Sequence, residues 1–213
     1  MVKTLPFGSS GLKVNSPGFG AMGLSFGLGT NLKFEQAEPV LLKAIEPGCT
    51  FWDTAVVYAA GVNESLSSQP SIPKHNLRDQ IFSSRPRCGF AVFEKEGVTN
   101  FAEHIKGYVG GTIQRHPSFK TITSTRTELL WEEIKKLADM KGCSITQIAL
   151  AWGAAQGFIA IPGTTKPHRL EENWASRDVE LTEVEKAEMR RIIDSAKPHG
   201  NRYSEVNQKL AGH

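Results

Sequence analysis

Short apolar runs alternate along this chain with segments of helical period, and this alternation constrains its fold most strongly. "PGFGAMGLS" is an apolar run punctuated by glycines, the pattern of a strand that backbone or ligand approaches closely. Phe34 to Ile45 follows as a helix with Val40, Leu41, Ala44 and Ile45 on one face. Pro39 falls within its first turn or so, where proline is tolerated, and Pro47-Gly48 closes it. "TFWDTA" reads as the next strand and "DQIFSS" as a third. Between them, Asn63 to Asn76 is helical in outline, but Pro70 and Pro73 predict a short or broken helix, since an interior proline costs about 3 kcal/mol. Ahead of all this, "KTLPFGSSGLKVN" places two extended runs around Gly-Ser-Ser-Gly and predicts a hairpin.

Phe101 to Gln114 reads as helix, weakened by Gly107, Gly110 and Gly111, and His116 to Ser124 as a polar connection. Beyond it, Thr125 with Glu128, Ser144 with Gln147, and Thr182 with Glu185 have the spacing of capping boxes. Each opens an apolar stripe of helical period: Leu130/Ile134/Leu137/Ala138, Ile148/Ala149/Trp152 and Val184/Met189/Ile192/Ile193. "GFIAIPGTT" reads as a short buried strand between the last two. No repeat or flexible linker divides the 213 residues, so the expectation is one α/β domain.

Composition narrows the function classes. Hydrophobic residues at 39% and charged residues at 22% are those of an ordinary globular protein. A net charge of +3 spread along the chain, without a basic block interleaved with aromatics, argues against nucleic-acid or membrane-surface binding. Cys49, Cys88 and Cys143 are far apart and odd in number, which points away from a disulfide framework or a metal site and toward a reducing, cytoplasmic setting. No run approaches the length of a membrane span.

Three segments, in order, resemble the aldo-keto reductase superfamily: "LKVNSPGFGAMGLS", "GCTFWDTAVVYAAGVNESL" and "SITQIALAWGAAQGFIAIPGTTKPHRLEENWASRDVELTEVE". They are similar to the family's opening hairpin and first barrel strand, its second strand and following loop, and its last helix, eighth strand and cofactor loop. The resemblance implies an α/β fold of (β/α)8 TIM-barrel descent and NADPH-dependent oxidoreduction of a small carbonyl or alcohol. It also implies a catalytic group of Asp, Tyr, Lys and His, in which the Tyr donates a proton to the carbonyl oxygen. Asp53 and Tyr58 match the first two. A phenol with an ordinary pKa of about 10 is a weak acid at neutral pH unless neighbouring charges tune it. At the Lys position the chain has "IFSSRPRCGF", which puts Arg87 there, with Arg85 as the alternative. An arginine attracts a phenolate but cannot pass on a proton.

After "FAEHIKGYVGGTIQRH" the sequence runs almost directly into the segment before the family's penultimate helix. The fourth-strand His, the nicotinamide-holding amides and the stacking aromatic have no counterpart, and neither His104 nor His116 lies in a matching motif. The implied fold is an incomplete barrel of strands one, two, three and eight, with residues 1–115 as its N-terminal half and 116–213 supplying C-terminal helices and the cofactor loop. Two open edges would expose such a half-barrel to aggregation, so either completion or covering by homodimerisation or a compact rearranged α/β sheet is expected.

The cofactor loop is the fullest match. By resemblance, Gly20 and Met22 lie near the nicotinamide, while Gly163 and Thr165 form the turn into a helix. Lys166 and Arg169 hold the 2′-phosphate and adenine, and Glu172 and Asn173 contact the adenine. Two basic residues at a helix start favour NADPH over NADH. Two other functions fit the same residues: a redox-silent cyclase, isomerase or dehydratase using Tyr58, Asp53 and an Arg, and a non-catalytic nucleotide-binding or regulatory relic.

Overall fold

Strand β4 (Trp52–Thr54) lies at the centre of a parallel sheet in a computed structural model of the chain, flanked by β3 (Phe19–Gly20) and β5 (Ile81–Ser83). The structure describes residues 4–7, 11, 13–26, 31–55, 58–59, 61–72, 81–83 and 121–195. The register pairs Gly20 with Asp53 and Asp53 with Phe82. Trp52 is fully buried, meets Phe19 edge-on, and donates its indole N–H to the Cys49 carbonyl at 2.7 Å, so the burial leaves no polar debt. Ahead of the sheet, β1 (Thr4–Pro6) and β2 (Lys13–Asn15) form the expected antiparallel hairpin.

Residues 158–163 run beside β3 on its other side. Gly18 N–H donates to the Ala160 carbonyl at 2.8 Å and Gly20 N–H to the Pro162 carbonyl at 3.2 Å, with a parallel bridge between Gly20 and Gly163. This segment is less than the buried strand expected for "GFIAIPGTT". Among the described residues it forms one bridge, and Phe158 (64%) and Ile161 (39%) are exposed. The "PGFGAMGLS" strand is likewise shorter than its apolar pattern. After Gly20 the chain turns into the single helical turn α1 (Met22–Ser25), with Leu24 fully buried.

Close approach at Gly20 is the pattern's lasting content. A Cβ there would lie 2.5 Å from the Ile161 carbonyl oxygen. Gly20→Ala is therefore expected to push the 158–163 segment off β3 and cost about 1–3 kcal/mol. That is a fall in melting temperature of roughly 2–12 °C for a chain of this size, measurable by thermal unfolding.

Helix α2 (Phe34–Ile45) has the expected bounds, but Pro39 is its sixth residue and so lies inside the helix, past the first turn expected for it. Its apolar face packs Ala37, Val40, Leu41 and Ala44 into a core with Phe19, Leu24, Trp52, Leu66, Ile72 and Leu170. Helix α3 (Val62–Ser67) ends before Pro70, as proline requires. The C-terminal helices are α4 (Thr121–Lys141), α5 (Ile145–Ala155), α6 (Pro167–Ala175), followed by a 3-10 turn (Ser176–Asp178), and α7 (Glu183–Ser195). Leu137, Ala138, Ile148 and Met189 form a second core among α4, α5 and α7. α6 packs on α2, where Lys43 pairs with Glu171 at 2.6 Å.

Two capping boxes form as their spacing predicts. Ser144 Oγ accepts from Gln147 N–H while Gln147 Oε1 accepts from Ser144 N–H, and Thr182 and Glu185 exchange the same two bonds. The third does not start its helix: α4 begins at Thr121, leaving Thr125 inside it and shortening the expected His116–Ser124 connection. An N-cap contributes only about 1 kcal/mol, and interior threonines cost a helix roughly half that each, so an added turn can override the signal. The helix expected at Phe101–Gln114 lies outside the described residues.

Candidate functional site

The C-terminal ends of β3 and β4, the loop after β4 and the start of α6 surround one cavity of about 640 Å³. Its walls are Gly20, Met22, Gly23, Asp53, Tyr58, Ile161, Gly163, Thr164, Thr165, Lys166, His168 and Arg169. Eight of the sequence-derived candidates meet here: Asp53 and Tyr58 on one side, Gly20 and Met22 between, and Gly163, Thr165, Lys166 and Arg169 on the other. Glu172 and Asn173 sit one turn further along α6 and do not line the cavity; the Glu172 carbonyl accepts from Gln147 Nε2 at 3.1 Å. Arg85 and Arg87 lie outside the described residues.

Asp53 reaches the cavity because β4 runs out at Thr54. It is half-buried, and that burial raises its carboxyl above the ordinary carboxylate range. Tyr58 follows in a tight turn, its N–H donating to the Ala55 carbonyl at 2.8 Å, and Phe26 stacks on its ring with centroids 5.8 Å apart. Burial raises the Tyr58 phenol above its ordinary pKa, and the Asp53 charge raises it further. Among the described residues, Tyr58 therefore holds its proton tightly. Stabilising the phenolate would need a cation, the part that the family resemblance implies for Arg87 or, alternatively, Arg85.

At the opposite wall, "PGTTKPHR" folds as a turn into α6 with Pro167 at the first helical position, where its missing N–H costs nothing. A helix start ordinarily leaves its first N–H groups without an intrahelical partner, but here some are engaged. Lys166 N–H donates to Thr164 Oγ1 at 3.0 Å, and Arg169 and Leu170 N–H both donate to the Lys166 carbonyl. The anion-binding capacity thus falls mainly to exposed side chains, those of Lys166, Arg169 and His168. His168 lines the cavity without having been singled out in the sequence. Its signal was position, in the first turn between two basic candidates. Gly23, Thr164 and Ile161 complete the wall and carry no chemical motif of their own.

The sequence pattern of the Aldo/keto reductase family matches residues 92–194. An "Aldo-keto reductase" of Gibberella moniliformis (strain M3125 / FGSC 7600) is 34% identical over 330 aligned positions, which take in 100% of this chain and 100% of that protein. The alignment is longer than the 213 residues here, so that relative has segments with no counterpart in this chain. "Aldo-keto reductase str7" of Strobilurus tenacellus is 36% identical over 80 residues, 37% of this chain and 24% of that protein. Among solved structures, an aldo/keto reductase from Brucella melitensis aligns with TM-score 0.54 at 17% identity, over 91% of this chain and 100% of that one. A mutant of Gox0644 in complex with NADPH aligns with TM-score 0.55 at 18% identity, over 97% and 98%. At such identities the likeness carries the fold, an α/β arrangement similar to the (β/α)8 barrels of those proteins. Among the described residues no helix is long and apolar enough to cross a membrane.

Proposed function

Because this chain belongs to the aldo/keto reductase family, we propose that it reduces a small carbonyl compound with NADPH, using Tyr58 as the proton donor. One observation carries this reading: Asp53 and Tyr58 share a single cavity with Lys166, Arg169 and His168. A proton source and a cationic wall thus face the same space, at the C-terminal ends of parallel strands.

The donor set fits a phosphorylated dinucleotide. Lys166 and Arg169 are suited to its 2′-phosphate, with His168 beside them, and Gly20 and Met22 form the wall between this cluster and Tyr58. Glu172 and Asn173 remain candidates for the adenine beyond the cavity wall. When bound, NADPH supplies the hydride. Tyr58 supplies the proton to the carbonyl oxygen, and Asp53 sets the electrostatic field around the phenol. The NADPH complex of the Gox0644 mutant lends support on the cofactor side. The direct assay follows NADPH oxidation across a panel of aldehydes and ketones; consumption that depends on both substrate and enzyme supports the reading.

A second reading draws on one observation. The carboxyl of Asp53 and the phenol of Tyr58 are both displaced toward their protonated forms. A carboxyl and a phenol lining one cavity suit an isomerase, cyclase or dehydratase acting on a carbonyl without redox chemistry, in which case product forms without cofactor.

The barrel reading extends to assembly. Among the described residues, three sheet strands and the segment 158–163 make four parallel members where a closed barrel has eight, and Phe158 at the start of that segment is exposed. We therefore read residues 1–213 as one incomplete barrel domain in a homodimer. Size-exclusion chromatography with light scattering is expected to give twice the chain mass of 23.4 kDa; a clean monomer contradicts it.

A further inference from the structure

Asn63 does not line the cavity, yet both polar atoms of its side chain are engaged by residues around it. It is fully buried in the first turn of α3. Its amide nitrogen donates to the Ala21 carbonyl at 2.8 Å and to Ser25 Oγ at 2.7 Å, while Oδ1 accepts from Thr54 Oγ1 at 2.6 Å. One side chain thereby fastens the end of β3, the end of α1 and the end of β4 together.

The same residue grips the loop that carries the phenol. Asn63 N–H donates to the Tyr58 carbonyl at 3.4 Å, and Ser25 Oγ, held by the Asn63 amide, donates to that carbonyl at 3.3 Å. Phe26, next to Ser25, stacks on the Tyr58 ring. The loop needs such a grip, since Ala59, which follows Tyr58, sits in the left-handed region at φ 58°, which is costly for a residue with a Cβ.

We propose that Asn63 is a positioning residue that fixes Tyr58 over the cavity, acting through Ser25 and the Tyr58 carbonyl and touching no substrate. Only an amide meets the demand at this place. It offers two donors toward Ala21 and Ser25 and one acceptor toward Thr54, whereas a carboxylate would set an oxygen against the Ala21 carbonyl. The claim about turnover rests on Tyr58 being the proton donor; the claim about position does not.

Two variants test it, Asn63→Ala and Ser25→Ala, the second removing only the relay hydroxyl. The chain has three tyrosines, so the difference in tyrosinate absorbance between each protein and its Tyr58→Phe counterpart isolates the Tyr58 titration. Loosening the turn should let water reach the phenol, so its midpoint falls from its raised position toward about 10. With circular dichroism unchanged, kcat for carbonyl reduction should fall about tenfold to a hundredfold and KM should stay within about twofold, the pattern of a misplaced donor. A folded variant with the parent's Tyr58 midpoint overturns the proposal. If Asn63→Ala fails to fold, Ser25→Ala decides alone. If the parent shows no carbonyl reduction, the proposed activity fails while the titration still decides whether Asn63 positions Tyr58.

Discussion

Replacing Tyr58 by phenylalanine is expected to lower kcat for carbonyl reduction by roughly a hundredfold to ten-thousandfold, the usual range for removing a positioned general acid. NADPH affinity should hardly change, because the lost hydroxyl is not part of the cationic cluster of Lys166, His168 and Arg169. The substituted ring, lacking only its hydroxyl, would still stack on Phe26, so the fold should persist. The pH profile adds a second readout. Burial and the Asp53 charge both raise the phenol, so its proton is kept to higher pH and the alkaline limb of kcat should lie above the ordinary value of about 10. An alkaline limb well below that value would instead require a cation at the phenol, and its loss in Arg87→Ala or Arg85→Ala would identify which arginine supplies it. Steady-state kinetics of these variants across pH checks each point.

The second large effect is on the cofactor. Changing Lys166 and Arg169 together to alanine is expected to weaken NADPH binding about a hundredfold or more. Charge-assisted bonds to phosphate contribute about 1.5–3 kcal/mol each, and 1.4 kcal/mol is tenfold in affinity. NADH, without the 2′-phosphate, should lose far less. Because both side chains are exposed, the parent's preference for NADPH should also shrink with added salt. Fluorescence titrations with each nucleotide, at low and high ionic strength, measure this directly. Equal losses for NADPH and NADH would place the two cations elsewhere on the ligand.

How much of this was legible in the sequence depended on the range of the interactions. Helix α2 and the caps at Ser144 and Thr182 were readable because their determinants lie within a turn of one another. Thr125 carried the same local pattern, but α4 starts a turn earlier, since a cap preference is small beside the continuation of a long helix. The segment 158–163 has the composition of a buried strand, and exposure of Phe158 and Ile161 is a tertiary fact that no local pattern records. Asp53, Tyr58, Lys166 and Arg169 were found through motif order, and their meeting in one cavity follows from two strand ends and one helix start. Asn63 was silent for the opposite reason: its amide partners Ser25 and Ala21 lie 38 and 42 residues away.

The central claim is that Tyr58 and the nucleotide held by Lys166 and Arg169 act on one carbonyl in one cavity. NADPH carrying deuterium at both positions of nicotinamide C4, supplied with an aldehyde that the enzyme turns over, tests it most directly by mass spectrometry of the product. The expected product is an alcohol with one deuterium on the former carbonyl carbon, formed only with cofactor present and lost in Tyr58→Phe. Unlabelled product, or product formed without NADPH, would contradict it.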